Sequence, residues 1–172
     1  MHETLLEAAR FNVERREYDV PGHGRVRREL VVHPGAVLVL PLLSPTRVVM
    51  IRNYRFSVGT ELLELPAGTL EPPEPPIDCA ARELEEETGY RAGRLESLCR
   101  FYTSPGFTNE LMHVFVAHNL TATAQRPEAT EQIRVAPMDL ADALAATADG
   151  RIIDGKTIAA LHVYHWQREG WK

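Results

Sequence analysis

The run Arg82-Glu83-Leu84-Glu85-Glu86-Glu87-Thr88-Gly89 holds the residue types and spacing most able to do chemistry in this chain. A helical period covers about residues 77–88, with Ile77, Ala80, Ala81 and Leu84 on one stripe, Asp78 near the start and Gly89 where a C-terminal cap belongs. The glutamates therefore crowd the last two turns, where negative charge opposes the helix dipole by roughly 0.3–1 kcal/mol per exposed group. Glu83, Glu86 and Glu87 stand at i, i+3 and i+4 and share one face. Like charges at that spacing cost a further ~0.2–0.5 kcal/mol per pair, and Arg82, reaching Glu86 at i+4, offsets only part. A divalent cation would relieve the rest. Three carboxylates are hard oxygen ligands, which suits Mg²⁺ or Mn²⁺ better than Zn²⁺. The competing reading is a solvated acidic face. The Pro/Gly-rich loop that pins the helix start directly after a strand favours the cation.

Several elements must position that face. Residues 11–20 and 25–33 alternate and carry Val and Tyr, as strands do, with a turn at Pro21, Gly22 and Gly24. Residues 36–40 and 47–54 are short apolar runs that read as buried strands, joined at Ser44-Pro45, and residues 61–65 form another strand stopped by Pro66. The four prolines within 69–76 require an ordered loop. After the acidic helix, residues 94–103 and 111–119 read as strands separated by the Ser104–Asn109 loop. A short strand follows at 131–135, Pro137 opens a helix to about Ala148, and Gly155 leads into a last helix over about 156–168. This order predicts an α/β (α+β) fold with a mixed sheet and helices packed on it.

Composition excludes several classes of function. The chain has 172 residues, 44% hydrophobic and 25% charged, which suits one globular domain with at most a small appendage. A net charge of −5 argues against a nucleic-acid backbone binder but not against a small anionic substrate, because a metal can supply positive charge. Cys79 and Cys99 are too few for a disulfide framework and fit two reduced thiols in a cytoplasmic protein. The longest apolar stretch, Ala36 to Leu43, is interrupted by Pro41 and falls far short of the ~20 residues of a membrane span, and the first residues do not read as a signal peptide. The histidines show no metal-ligand spacing. Trp166 and Trp171 read as packing or interface anchors.

Gly68, five residues, Glu74, seven residues, then Arg82-Glu83-Leu84-Glu85-Glu86-Glu87-Thr88-Gly89-Tyr90 resembles the box of the Nudix hydrolases. Gly68, Glu74, Arg82, Glu83, Glu86, Glu87 and Gly89 fill the fixed positions. Tyr90 stands where an aliphatic residue is usual. Glu64-Leu65-Pro66-Ala67-Gly68, Arg52-Asn53-Tyr54-Arg55 and Ser104-Pro105-Gly106-Phe107-Thr108-Asn109-Glu110, with Pro105 sixteen residues after Gly89, are similar to the ADP-ribose pyrophosphatase branch. The similarity runs from about Arg28 to Leu161.

The resemblance implies a Nudix-type α/β/α sandwich with a mixed β-sheet over 35–172, preceded by antiparallel N-terminal strands over 1–34 that serve as a dimerisation element. It implies hydrolysis of the pyrophosphate bond of ADP-ribose to AMP and ribose 5-phosphate by a homodimer. Glu83, Glu86 and Glu87, the main-chain carbonyl of Ala67 and a loop carboxylate, Glu131 ahead of Glu128, carry over as metal ligands for Mg²⁺ or Mn²⁺. Arg82 and Glu74 carry over as residues that orient the ligands. Arg55 is the expected phosphate or terminal-ribose contact, Arg28 and Glu29 are expected to reach a partner subunit's site, and Ser104 and Glu110 flank the substrate loop. Phe11, Tyr18 and Tyr54 are candidates to stack on adenine or to pack.

Such a linkage carries about two negative charges at neutral pH, which divalent ions neutralise while lowering the pKa of a bound water. One remaining glutamate would act as general base. Mutual repulsion in the carboxylate cluster raises pKa values, so activity should favour alkaline pH. Two alternatives stand beside this reading. One is the same chemistry on a nucleotide sugar, FAD or a dinucleoside polyphosphate. The other is a non-catalytic ADP-ribose sensor, which the complete set of box glutamates disfavours.

Overall fold

The computed structural model describes residues 2–170, so Trp171 lies outside the described residues. Two sheets form. The first is antiparallel in the order β1 (His2–Glu7), β2 (Asn12–Val20), β3 (Gly24–Val32). The β2–β3 hairpin stands where alternation predicts it. β1 goes beyond the sequence reading: all its residues are exposed, so no buried face imprints a period on them. It is held by main-chain pairing to β2 and by side-chain contacts such as the Glu3–Arg15 ion pair at 3.0 Å and the approach of His2 to Glu14 at 2.7 Å.

The second sheet has the path β10 (Ile133–Asp139), β5 (Arg47–Arg55), β4 (Ala36–Ser44), β9 (Leu111–Ala122), β8 (Tyr90–Tyr102). β4 and β9 are parallel and the other neighbours antiparallel, so the sheet is mixed, as expected. β6 (Thr60–Glu64) adds to β5, and β7 (Ala67–Thr69) adds to β4. β4 is buried on both faces, which explains its unbroken apolar run. Val37 and Val39 join Cys79, Ala80 and Leu84 of helix α1 (Pro76–Thr88), with Phe115 and Ala117. Ala36, Leu38, Leu40 and Leu42 face the other way, against Leu140, Ala143 and Ala146 of α2 (Leu140–Asp149) and Ala160 and Leu161 of α3 (Gly155–Glu169). The result is a sheet between α1 on one face and α2 and α3 on the other.

Pro137 does not open a helix. It pairs with Val49 inside β10, and α2 begins at Leu140. β10 is an edge strand, where a residue without an N–H is tolerated. β8 starts earlier than the expected 94–103, at Tyr90, and β10 is displaced from the expected 131–135 to Ile133–Asp139. The two sheets meet where Val31 of β3 donates its N–H to Phe107 O at 2.8 Å and accepts from Asn109 N at 3.3 Å. No helix among the described residues is long and apolar enough to cross a membrane.

Candidate active site

α1 begins at Pro76, where a missing N–H costs nothing, and ends at Gly89, whose φ of 68° returns its N–H to Glu85 O at 2.9 Å. The carbonyls that end the helix are taken up by the segment after β9. Arg126 N–H reaches Glu86 O at 2.9 Å, and Gln125 Nε2 reaches Glu87 O at 2.7 Å. Glu85 points away from the shared face, to Arg91 at 3.0 Å and Arg126 at 3.1 Å.

Arg82 organises the remaining carboxylates. Its Nε and Nη2 grip both oxygens of Glu74, each at 3.0 Å, while Nη1 reaches Glu83 at 2.7 Å and Glu86 at 3.2 Å. That fork lowers the Glu74 pKa from its ordinary value. Glu83 moves the other way, because burial outweighs the attraction of Arg82. Glu87 is only 2% exposed, and burial pushes its carboxyl well above the usual value, reinforced by the charges of Glu83 and Glu131. The Ala67 N–H donates to Glu87 Oε2 at 2.8 Å and offsets part of this. A Cβ on Gly68 would lie 1.9 Å from the Glu83 carboxyl, so β7 approaches the helix as closely as it does because residue 68 has no side chain.

This donor set fits a hard divalent cation. Glu83, Glu87 and Glu131 repel one another, and only oxygen donors are present. Among the described residues no three such side chains already form a ligand group, since Arg82 draws Glu83 and Glu86 together and Glu87 rests on the Ala67 amide.

A cavity of about 820 Å³ opens beside this face, within the range of ligand sites. Ala67, Gly68 and Glu83 line one part, Glu110 and Thr103 another, Glu128 and Glu131 a third, and Arg55, Glu64, Asp154 and Lys156 a fourth. Arg55 donates from Nε to Glu64 at 2.8 Å. Burial opposes its charge, but Glu64 outweighs burial and raises its pKa. Glu110 accepts from Thr103 Oγ1 at 2.6 Å. Glu131 accepts the N–H of Glu128 at 3.1 Å, and Glu128 pairs at 3.1 Å with Arg10, which reaches the rim from the N-terminal sheet.

Other expected residues do not meet the cavity within one chain. Arg28 and Glu29 lie on β3, where Arg28 donates to Arg27 O at 2.8 Å and Glu29 pairs with Arg15 at 2.9 Å. Ser104 shapes its loop by accepting two main-chain N–H groups at 3.1 Å, and Thr103 lines the cavity instead. Tyr18 is exposed on β2 and Phe11 in the connection before it, and Tyr54 packs edge-to-face on Phe56 at 5.2 Å.

Asp154 and Lys156 escaped the sequence reading, and Glu64, quoted there as part of the Glu64–Gly68 segment, was given no role in the site.

Comparison with known proteins places the chain in a family. The NUDIX domain family model matches residues 32–161. An ADP-ribose pyrophosphatase of Bacillus subtilis (strain 168) is 39% identical over 147 residues, spanning 84% of this chain and 80% of its own length. A GDP-mannose pyrophosphatase of Citrobacter koseri is 35% identical over 173 residues, covering 94% and 87% of the two chains. A crystal structure described as an ADP compounds hydrolase superposes with a TM-score of 0.85 at 23% identity, over 99% of this chain and 94% of that one, a likeness of fold.

Proposed function

The chain belongs to the NUDIX family, and from that premise we propose that it hydrolyses the pyrophosphate bond of ADP-ribose to AMP and ribose 5-phosphate with a divalent metal, Mg²⁺ or Mn²⁺. The observation that carries the hydrolytic reading is the set of Glu83, Glu86 and Glu87 on one helix, with Glu83 lining a cavity that also presents Glu131, Arg55 and Lys156. The similarity to a pyrophosphatase named for ADP-ribose selects the substrate.

Glu83, Glu86 and Glu87, with the Ala67 carbonyl and Glu131, would hold the metal. When bound, it would screen the diphosphate charge and lower the pKa of a water. Arg82 and Glu74 keep the ligand carboxylates in place. Arg55 supports the substrate phosphate or terminal ribose, a role for which a guanidinium suits. A carboxylate of this cluster left free of the metal would take the proton from the attacking water.

The protein acts as a homodimer in this reading. Support comes from the N-terminal sheet, where every residue of β1 is exposed and Leu6 stands 52% open to solvent on a single chain. Arg28 and Glu29, remote from their own cavity, would then serve the partner's. Two free thiols are consistent with the cytoplasm.

A second reading keeps the chemistry and changes the substrate to a nucleotide sugar, favoured by the GDP-mannose pyrophosphatase relative. Product analysis with Mg²⁺ and an EDTA control decides, using ADP-ribose, ADP-glucose, GDP-mannose, FAD and diadenosine polyphosphates. The highest kcat/KM on ADP-ribose, with AMP and ribose 5-phosphate as products and loss in EDTA, is the expected outcome. A higher kcat/KM on GDP-mannose replaces the substrate. No cleavage of any compound overturns the hydrolytic reading.

A further inference from the structure

Glu64 is fully buried and both its oxygens are engaged, Oε1 by Arg55 Nε at 2.8 Å and Oε2 by Lys156 Nζ at 2.9 Å. A carboxylate so deeply placed needs one cationic partner, and Arg55 already supplies it. Lys156 is a second one. It is held again by Asp154 Oδ1 at 2.7 Å, while Asp154 Oδ2 caps α3 by accepting from Thr157 N at 3.0 Å. The Thr157 hydroxyl in turn accepts the Leu65 N–H at 2.9 Å, which ties the start of α3 to the residue beside Glu64. The ammonium is thus fixed from two sides on a side chain that lines the cavity and remains 18% exposed. An ammonium has three donors and the two carboxylates use two. Arg10, Arg55 and Lys156 are the basic residues among the described cavity walls, and Arg10 sits at the exposed rim. A diphosphate entering a space otherwise rich in carboxylates needs the inner two.

We infer that Lys156 binds the substrate's diphosphate, donating its third N–H to a non-bridging phosphate oxygen, with Glu64 and Asp154 as the residues that position it. The inference rests on the diphosphate reading of the site and adds a contact from α3 to it.

Calorimetric titration of ADP-ribose, and of ADP in parallel, into metal-free protein in EDTA tests the contact without turnover. Wild type is compared with Lys156→Met, Lys156→Gln and Lys156→Arg, with the melting temperature of each. Arg55 still neutralises Glu64 in the two neutral variants, so the buried carboxylate keeps a partner. Loss of a charged hydrogen bond weakens both ligands about tenfold or more in the neutral variants, whereas arginine restores most of the affinity. With metal, KM rises more than kcat falls. Wild-type affinity in the neutral variants, even with a lowered melting temperature, makes Lys156 a structural ion pair and overturns the inference. If ADP binding shows the expected order while ADP-ribose is not cleaved, the contact stands and the assigned substrate falls.

Discussion

A methyl group at position 68 would occupy the space of the Glu83 carboxyl. Gly68→Ala should therefore fold, because the obstacle is the end of a side chain, and should lose about 10²-fold in kcat/KM, the scale of an ångström's misplacement of a reacting group. Steady-state kinetics alongside a melting curve separates the two effects, and full activity would disprove the close approach. Glu87 makes a second test. Its folded-state pKa lies above the ordinary 4.5, so folding resists its charge. The resistance is absent below about that value and grows as pH rises through the folded-state pKa. In EDTA, Glu87→Gln should melt a few degrees above wild type at neutral pH and level with it in acid. The same variant should lose about 10²-fold or more in metal-dependent turnover. A variant less stable at neutral pH would contradict the burial argument. The box residues were legible from type and spacing because each is needed by a neighbour within a few turns of chain. Lys156 was not: its partner Glu64 is distant in sequence, and only the fold joins them.

Helices and strands carry the next level. The extent of the acidic helix was readable, 77–88 against the observed Pro76–Thr88, because Gly89 is a local signal, but its buried stripe was misplaced: Ile77 and Ala81 are exposed, and Cys79 is buried with Ala80 and Leu84. The edge strand containing Pro137 was misread because proline signals a helix start as readily as a strand edge, and only pairing with Val49 decides. Gly89 bears a second load besides its left-handed turn. A Cβ there would lie 2.9 Å from Gln125 N, in the segment that caps the helix. Gly89→Ala should destabilise by at least ~1–2 kcal/mol from the backbone conformation alone, measured by urea unfolding. An unchanged midpoint would mean that this turn carries no strain. Activity of the variant should fall further than stability explains, since Glu86 and Glu87 lie directly before the disturbed cap.

For the whole molecule, the open question of assembly sits on the N-terminal sheet. Exposed Leu5, Leu6 and Tyr18 lie on strands, and Phe11 in the β1–β2 connection, of a sheet that reaches the rest of the chain through Val31 and, from that connection, through Arg10 at the cavity rim. Leu6→Asp should convert a dimer to a monomer by sedimentation velocity while leaving the far-ultraviolet spectrum unchanged. A wild-type protein that sediments as a monomer would remove the dimer reading. The mixed sheet with helices packed on it could be read ahead of the structure from the order of apolar runs, while helices on both faces were implied by the family resemblance. The strand β1 could not, because an exposed strand leaves no period. The cap on α1 also has a consequence for how this scaffold can diversify. Thr123, Gln125 and Arg126 are committed to Gly89, Glu87 and Glu86, and β10 resumes at Ile133. Length variation in the loop that carries Glu128 and Glu131 is therefore confined to 127–132. Insertions there would reshape the cavity wall and change which substrate it accepts, while an indel two residues earlier would unseat the carboxylate helix itself.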